Sequence, residues 1–200
     1  MKRDIILAGV GGQGILTIAT VIGYAAVERG LFLKQSEVHG MSQRGGEVQS
    51  HLRISDTEVF SDLVPEGGAD LIIGVEPMES LRYYSYLKPG EGWLITNKKP
   101  FVNIPNYPDF ETLWNRISSL PRAILIDGDT IAREHANARA VNIVVLGAAS
   151  DHVGLPVEDL RNAIRVIFAR KGDAVVEANL RAFDAGRAFA GSWGKVPATA

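Results

Sequence analysis

Cysteine is absent from all 200 residues of the sequence. This absence excludes disulfide bonds, thiolate zinc sites, a cysteine nucleophile and iron–sulfur clusters held by this chain alone. An excess of charge of one sign is also lacking, because 21 Lys and Arg stand against 23 Asp and Glu, for a formal net charge of −2. Such a balance gives no electrostatic basis for binding nucleic acid or an anionic membrane surface.

Long hydrophobic runs are lacking as well. The longest uncharged apolar run covers residues 15–27, which is short of the roughly 20 residues that a helix needs to cross a bilayer. Residues 1–3 and the apolar stretch after them resemble the start of a signal peptide, but Asp4 and several glycines interrupt that stretch. A buried strand and helix explain these residues better, so we expect a cytoplasmic protein.

The remaining composition is that of a globular chain. Hydrophobic residues make up 46% and charged residues 22%, close to the average of folded domains. A chain of this length can build one domain with a sizeable core. We expect a single domain over residues 1–190, followed by a flexible polar tail over residues 191–200.

Short apolar runs alternate with helical periodicities along the first two thirds of the sequence. The strands predicted from this pattern cover residues 4–8, 48–54, 69–75, 92–96 and 123–126. The helices predicted from it cover residues 15–28, 77–87, 110–120, 130–135, 141–152, 156–170 and 174–190. This order predicts an α/β fold, a three-layer Rossmann-like sandwich with a mostly parallel, mixed sheet and a helical C-terminal third.

Two further local structures are predicted between the first helix and residue 60. Residues 35–46 are polar and glycine-rich without a sustained period, which indicates an ordered loop. Residues 55–58 have the composition of a turn and are predicted to join strand 48–54 to residues 59–60 in a hairpin. The strand alternates in polarity, and its more polar side, with His51 and Arg53, is predicted to face solvent.

The first candidate site is a glycine-rich turn between the first predicted strand and helix. Residues 9–14 read G-V-G-G-Q-G. A strand that enters such a turn and leaves as a helix presents backbone N–H groups at the positive end of the helix dipole, which suits a phosphate or carboxylate. The same glycines could instead serve only the close packing of helix on strand.

The turn also fits the dinucleotide pattern G-x-G-x-x-G through Gly9, Gly11 and Gly14. That interpretation requires an acidic residue at the end of the second strand to bind a ribose hydroxyl. Glu37 lies at a suitable distance along the sequence, but within the predicted polar loop. NAD binding is therefore the weaker interpretation of this pattern.

The second candidate site is the sequence S-E-V-H-G-M-S-Q-R-G-G of residues 36–46. Arg44 could bind a carboxylate or phosphate with both arms of its guanidinium, while Gly45 and Gly46 let a ligand approach the backbone. Alternatively, Arg44 pairs with an internal acid and the two glycines shape a bulge before the next strand.

Other polar residues give weaker signals. The histidines at positions 39, 51, 135 and 152 have no metal-ligand spacing and no accompanying carboxylate cluster, so we expect no metal site. Asp127 and Asp129 follow a predicted strand, where active-site groups often lie. Capping of the helix that begins near Thr130 explains these two residues better.

The two glycine-rich segments together resemble the gamma-type component of the 2-oxoacid:ferredoxin oxidoreductases. The form H-G-M-S-Q-R-G-G of residues 39–46 is most similar to the small (beta) subunit of the indolepyruvate ferredoxin oxidoreductases. Asn142, Gly147, Asn179 and Gly186 also match the C-terminal pattern of this family. The resemblance extends over residues 3–190, nearly the whole chain.

The resemblance implies an accessory subunit of an enzyme complex. Enzymes of this family use thiamine diphosphate to decarboxylate a 2-oxoacid oxidatively, form an acyl-CoA and pass electrons through iron–sulfur clusters to ferredoxin. In the indolepyruvate type the substrate is an aryl pyruvate. This chain has no thiamine motif and no cysteine, so thiamine diphosphate and the clusters are expected on a large partner subunit. The chain alone is expected to be inactive.

The resemblance also implies roles for the two glycine-rich segments. Gln43 and Arg44 would face the thiamine site of the partner, with His39 in support, and these three are the catalytic candidates. The glycine turn would hold a phosphate, for instance of coenzyme A. The candidate cofactor-binding residues are Gly9, Gly11, Gly12, Gln13, Gly14, Gly45 and Gly46.

The expected partners follow from the same resemblance. They are the large thiamine and iron–sulfur subunit, ferredoxin indirectly, the 2-oxoacid and coenzyme A, with neither nucleic acid nor a membrane. The isolated chain could form a homodimer through the face meant for its partner. Two alternatives stay open: a stand-alone Rossmann-like nucleotide-binding protein that uses residues 9–14 and Glu37, and a purely structural scaffold subunit.

Overall fold

A computed structural model describes residues 1–39 and 45–193 of the protein, with only the backbone of His39 described. One sheet is formed by six strands: β1 (Lys2–Val10), β2 (Phe32–His39), β3 (Glu47–Ser55), β4 (Leu71–Gly74), β5 (Trp93–Asn97) and β6 (Ala123–Ile126). Their order across the sheet is β2-β3-β1-β4-β5-β6.

The direction of the strands places most of their carboxyl ends together. β1, β4, β5 and β6 pair in parallel, whereas β3 runs antiparallel to both β1 and β2. β3 alone therefore points against the other five strands. We call the edge at which those five strands end the carboxyl edge.

The described residues form seven α-helices and three short 3₁₀ turns. The helices are α1 (Ile15–Glu28), α2 (Pro77–Arg82), α3 (Phe110–Ser118), α4 (Gly128–His135), α5 (Val141–Ala149), α6 (Val157–Phe168) and α7 (Asp173–Ser192). The 3₁₀ turns are Tyr84–Tyr86, Ser150–His152 and Ala169–Lys171.

The helices cover both faces of the sheet. Leu7 in β1 and Ile73 in β4 are fully buried in the larger core, beneath α1 and α4 to α7. Ile6 and Ile72, the preceding residues of the same strands, are fully buried in a smaller core beneath α2 and α3. This alternation confirms the predicted three-layer α/β sandwich with a mixed, mostly parallel sheet and a helical C-terminal third.

Several predicted elements are confirmed because their signals are local. The helix predicted over residues 15–28 is α1, with the same bounds, and the strand predicted over residues 123–126 is β6. The helix predicted over residues 77–87 is shorter, since α2 ends at Arg82 and a 3₁₀ turn follows.

Two predictions between residues 32 and 60 are wrong. The predicted loop over residues 35–46 begins too early, because residues 35–39 belong to β2, whose backbone pairs with β3. The predicted hairpin with residues 59–60 does not form, since β3 has β1 on one side and β2 on the other. Phe60 lies outside the sheet with 87% of its surface exposed.

The prediction that His51 and Arg53 face solvent is also wrong. The segment of residues 56–68 covers this side of β3, so that His51 is only 4% exposed. The backbone N–H of Val64 donates to His51 Nδ1 at 3.0 Å. Arg53 Nε donates to Asp4 Oδ1 at 2.8 Å, and its Nη1 donates to the Leu63 carbonyl at 3.0 Å. Both side chains therefore hold the covering segment on the sheet.

The last helix, α7, is longer than predicted. α7 continues to Ser192, two residues into the expected tail, and the Trp193 indole N–H donates to the Ala123 carbonyl at 2.9 Å. The other tail residues, 194–200, lie outside the described residues. Within the part of the chain that the structure describes, no helix combines the length and the apolar character needed to span a membrane.

Candidate functional site

The glycine-rich turn lies at the carboxyl edge of the sheet, between β1 and α1. β1 is an inner strand with β3 on one side and β4 on the other, and the chain leaves it toward the β2 side before returning to β4. The turn therefore marks the switch point of the topology. Open α/β sheets bind their ligands in the crevice at such a point.

Gln13 closes the glycine turn on itself. Its backbone N–H donates to the Val10 carbonyl at 3.1 Å, and its side-chain Oε1 accepts the Val10 N–H at 2.8 Å. The Gln13 oxygen thus holds the turn in shape. This contact gives the predicted ligand-binding residue a structural function within the turn.

The glycines of the turn differ in what surrounds them. A Cβ on Gly9 would lie 2.8 Å from both Gln13 Oε1 and Ile15 Cδ1, and a Cβ on Gly14 would lie 2.5 Å from Asn142 Nδ2. Around Gly12, which has a φ of 99°, a Cβ would meet nothing within 4 Å. Close packing therefore explains Gly9 and Gly14, whereas Gly12 faces open space.

The start of α1 is open toward this space. Gly14 is its N-cap residue, with a left-handed φ of 79°. Among the described residues no side chain caps this helix end, and its first turn holds no acidic residue. The positive end of the helix dipole is therefore available to an anion.

The structure brings the two glycine-rich segments together. The Gly11 N–H donates to the Gly46 carbonyl at 2.9 Å, and the Gly45 N–H lies 3.4 Å from the Gly11 carbonyl that accepts it. The Asn103 side chain adds a third link, since its Nδ2 donates to the Gly45 carbonyl at 2.9 Å. Gly45 and Gly46 are thus fixed beside the turn.

The three catalytic candidates lie at the boundary of the described residues or outside them. Gln43 and Arg44 lie outside the described residues, and His39 is described only as the last backbone position of β2, opposite Val48. Their catalytic roles stay predictions from the sequence. Gly45 and Gly46 are the described residues that follow Gln43 and Arg44 in the sequence.

Three clefts meet at Gly12. The β2 cleft, of about 440 Å³, lies between the turn and Glu37 of β2. The β5 cleft, of about 480 Å³, extends from the turn to Asn97, Lys99 and Phe101 after β5. The α7 cleft, of about 650 Å³, extends from the turn along the starts of α5 and α7.

The three clefts differ in charge. The charged residues that line the α7 cleft are Arg139 and Lys171, and its described lining contains no acid. In the β5 cleft, Lys99 Nζ pairs with Asp129 Oδ1 at 3.0 Å, so that these two charges offset each other. The remaining charge in the described lining of this cleft is the positive charge of Arg139. The β2 cleft has Glu37 as the charged residue of its described lining. An anion is therefore favoured most in the α7 cleft.

The sequence interpretation missed Arg139 and Lys171 as site residues. Arg139 lies two residues before α5 begins, and Lys171 lies two residues before α7 begins. Cations at helix N-termini oppose the helix dipole. This unfavourable placement is the signal in the sequence that could have identified both residues.

Asp127 has the capping role that the sequence favoured. Its Oδ1 accepts the Thr130 N–H at 3.1 Å at the start of α4. Asp129 is held by Lys99 and by Asn97, whose Nδ2 donates to Asp129 Oδ2 at 3.0 Å. Among the described residues no group of His, Asp or Glu side chains has the arrangement of a metal site.

A buried acidic pair lies beneath the carboxyl edge. Glu76, two residues after the end of β4, is fully buried, and Glu79 is 2% exposed. Burial raises the pKa of Glu79, with a smaller opposing effect of Arg82. Burial also raises the pKa of the Tyr107 phenol, and the hydrogen bond to Glu76 adds a smaller increase. Tyr107 therefore stays protonated and donates its hydrogen bond to Glu76.

Comparisons with known proteins agree with this architecture. Residues 4–189 match the family model described as pyruvate ferredoxin/flavodoxin oxidoreductase. The chain is 37% identical over 195 residues to the indolepyruvate oxidoreductase subunit IorB of Pyrococcus horikoshii, with 92% of this chain and 94% of that protein covered. The chain therefore belongs to the pyruvate ferredoxin/flavodoxin oxidoreductase family.

Two solved structures share the fold at low sequence identity. One is the 2-oxoglutarate:ferredoxin oxidoreductase from Magnetococcus marinus with 2-oxoglutarate, coenzyme A and succinyl-CoA bound, at a TM-score of 0.75 and 23% identity. The structural match covers 98% of this chain and 32% of the chain of that enzyme. The other is the gamma subunit of a keto/oxoacid ferredoxin oxidoreductase from Geobacter sulfurreducens, at a TM-score of 0.69 and 24% identity. This match covers 95% of this chain and 99% of that subunit.

Proposed function

We propose that this chain is the small accessory subunit of a cytoplasmic 2-oxoacid:ferredoxin oxidoreductase that acts on aryl pyruvates such as indolepyruvate. The complex would decarboxylate the 2-oxoacid oxidatively, form an acyl-CoA and pass the electrons to ferredoxin. The 37% identity to an indolepyruvate oxidoreductase subunit over 92% of the chain supports this substrate class.

The cofactors divide between the two subunits in this proposal. The chain has no cysteine to ligate iron–sulfur clusters and no thiamine motif, so its residues do not fit these groups. The large partner subunit would hold them. The chain would act as one domain over residues 1–190 and contribute binding surface, and it would be inactive alone.

The α7 cleft carries the proposal for this chain's own contribution. Arg139 and Lys171 line it without an acidic neighbour in the described lining, and it opens at the uncapped start of α1. These residues fit the phosphates of coenzyme A, whose thiol supplies the acceptor for the acyl group. The Gly11 N–H is bonded to Gly46, so the amides proposed for phosphate are those of Gly12 and Gly14.

Gln43 and Arg44 would act beside this site, at the thiamine centre of the partner. Arg44 would bind the substrate carboxylate or a phosphate with two parallel hydrogen bonds, with Gln43 and His39 in support. The position of Gly45 and Gly46 supports this proposal, because both bond to Gly11 at the carboxyl edge.

The apolar rim of the edge supports docking of the large subunit there. Leu16 lines the β2 cleft and Phe101 lines the β5 cleft, and they expose 45% and 43% of their surface. Exposed apolar residues around a polar site are typical of surfaces that a partner covers. The isolated chain could form a homodimer through this same rim.

A matched pair of glycine variants tests the coenzyme A proposal. Gly12 and Gly30 both have positive φ, of 99° and 72°, and a Cβ on either would meet nothing within 4 Å. Gly12→Ala and Gly30→Ala should therefore cost similar stability, about 1–2 kcal/mol. In the complex reconstituted with its large subunit, only Gly12→Ala should raise the KM for coenzyme A, by about tenfold.

Charge variants complete this test. Arg139→Gln and Lys171→Gln should each raise the KM for coenzyme A, by about fivefold or more, because each removes a cation from the α7 cleft. Arg116→Gln, in α3 away from the clefts, is the matched control and should leave KM unchanged. An unchanged KM in Gly12→Ala, Arg139→Gln and Lys171→Gln would contradict the proposed site.

A dinucleotide site remains the second candidate function, because Glu37 lines the β2 cleft together with Gly11, Gly12 and Gly14. Glu37 lies in β2, near the carboxyl end of the strand, rather than in the predicted loop. β3 lies between β2 and β1. Glu37 is therefore about 4.8 Å farther from the glycine turn than it would be on a strand adjacent to β1. Titrating the isolated chain with NAD(H), FAD and coenzyme A distinguishes the candidates, since saturable dinucleotide binding that Glu37→Gln abolishes would favour this function.

A purely structural scaffold subunit is the third candidate. Substitutions at Gly12 and Arg44 that preserve assembly but abolish activity would argue against it. Wild-type activity in both variants, with the complex intact, would support it.

A further inference from the structure

The segment of residues 98–108 crosses the carboxyl edge between β5 and α3. Pro100, Pro105 and Pro108 have no backbone N–H to donate, so the segment can make few backbone hydrogen bonds of its own. At its start, the Lys98 N–H donates to the Ile126 carbonyl at 2.7 Å. The middle of the segment therefore depends on side-chain hydrogen bonds for its position.

Glu76 supplies the hydrogen bonds on the inner side. Its Oε1 accepts the Phe101 N–H at 3.2 Å and the Tyr107 hydroxyl, while its Oε2 accepts the Glu79 N–H at 2.7 Å. All three donors point at one fully buried carboxylate. Glu76 thus fixes the segment at two points, Phe101 and Tyr107, and fixes the start of α2 at a third.

The outer side of the same segment holds the second glycine-rich segment. Asn103 Nδ2 donates to the Gly45 carbonyl at 2.9 Å, and a Cβ on Gly45 would lie 3.9 Å from the Phe101 ring. Gly45 and Gly46 in turn bond to Gly11 of the glycine turn. A continuous series of contacts therefore joins Glu76 to the turn.

We propose that Glu76 is a positioning residue for the ligand site at the glycine turn, acting through residues 98–108 and Asn103 on Gly45. This inference rests on the proposed function, and it adds a residue that never touches the ligand. A carboxylate is required at this position because its two oxygens accept all three hydrogen bonds. An amide would turn one N–H group toward a donor.

Amide hydrogen exchange on the folded chain tests the link without activity. Asn103→Ala removes the hydrogen bond to Gly45 and leaves Glu76 untouched. We expect the amides of Gly11 and Gly45 to exchange about five- to tenfold faster in this variant. Asn106→Ala, an exposed asparagine of the same segment, is the matched control and should change nothing at these glycines.

The Glu76 end is tested by two variants. Glu76→Gln should accelerate the exchange of the Gly11 and Gly45 amides as much as Asn103→Ala does. Tyr107→Phe removes one of the three donors and should give a smaller acceleration, and it serves where Glu76→Gln fails to fold. Equal exchange at Gly11 in wild type, Asn103→Ala and Tyr107→Phe would overturn the proposal.

The kinetics of the reconstituted complex separate this inference from the proposed function. Asn103→Ala should raise the KM for coenzyme A by about five- to tenfold with kcat within about twofold of wild type, because a displaced site weakens binding rather than chemistry. Faster exchange with an unchanged KM would confirm the link from Asn103 to the turn and contradict the coenzyme A site. Unchanged exchange with a raised KM would overturn the link.

Discussion

The Asn142 side chain donates a hydrogen bond from Nδ2 to the Gly14 carbonyl at 3.0 Å, across 128 residues of sequence. A Cβ on Gly14 would lie 2.5 Å from that same Nδ2, and Gly14 has a φ of 79°. The start of α5 therefore packs directly against the start of α1, and only a glycine at position 14 leaves room for this contact. This contact gives a physical reason for the presence of Gly14 in the first glycine-rich segment and of Asn142 in the C-terminal pattern of the family.

A double-mutant cycle on this pair gives the first prediction. Gly14→Ala should lower the free energy of unfolding by about 2–4 kcal/mol, because it adds a clash with Asn142 to the cost of a positive φ. In an Asn142→Ala background the clash is gone, and the same substitution should cost about 1–2 kcal/mol. Urea unfolding measures both costs, and additive effects would contradict the close contact.

The crossing of α5 and α7 gives the second prediction. A Cβ on Gly186 would lie 1.9 Å from the Val144 carbonyl oxygen, whereas a Cβ on Gly191, in the same helix, would meet nothing within 4 Å. Gly186→Ala should therefore destabilise the fold by about 2–3 kcal/mol or more through overpacking. Gly191→Ala should stabilise it by up to about 1 kcal/mol, since alanine favours a helix. Thermal unfolding should show Tm shifts of opposite sign, and a Gly186→Ala protein as stable as wild type would exclude this tight crossing.

The pH dependence of stability gives the third prediction. Burial lowers the pKa of His51 from its ordinary value of 6.5, and its Nδ1 accepts the Val64 N–H. The unfolded chain therefore takes up a proton at a higher pH than the folded chain. The stability that the neutral ring contributes is present above pH 6.5 and falls as the pH drops below that value.

A variant isolates the part of His51 in this profile. In His51→Asn the amide oxygen can accept the Val64 N–H without titrating, so the loss of Tm between about pH 7 and pH 5 should be smaller than in wild type. His135→Asn, at an exposed position, is the control and should keep the wild-type profile. Identical profiles in wild type and His51→Asn would show that His51 does not govern this loss.

The fourth prediction concerns Arg44 and rests on the sequence pattern around it. Arg44→Lys in the reconstituted complex should lower kcat/KM for an aryl pyruvate by about tenfold or more, because lysine cannot form two parallel hydrogen bonds to one carboxylate or phosphate. The measurement is steady-state kinetics with ferredoxin as acceptor. A kcat/KM equal to that of wild type would remove this role.

Local signals made much of the fold predictable. α1 and β6 have their predicted bounds, since each depends on a continuous apolar pattern with a clear end. The sequence predicts a loop over residues 35–39 of β2 because residues 34–37 of this edge strand are polar, and the strand forms through its pairing with β3. The position of the Arg53 side chain depends on Asp4 and on residues 56–68, and neither contact is visible in a local period.

The strand–turn–helix of residues 4–28, the exclusion of clusters held by cysteine and the family indicated by the glycine patterns could all be derived from the sequence alone. That Gly14 is a packing position and Gly12 an open one became clear only from the three-dimensional contacts. The tertiary structure also brought Arg139 and Lys171 to the turn from more than a hundred residues away. The physical reason is that backbone propensity and periodicity act over a few residues, whereas the charge and space of a site are set by contacts between distant parts of the chain.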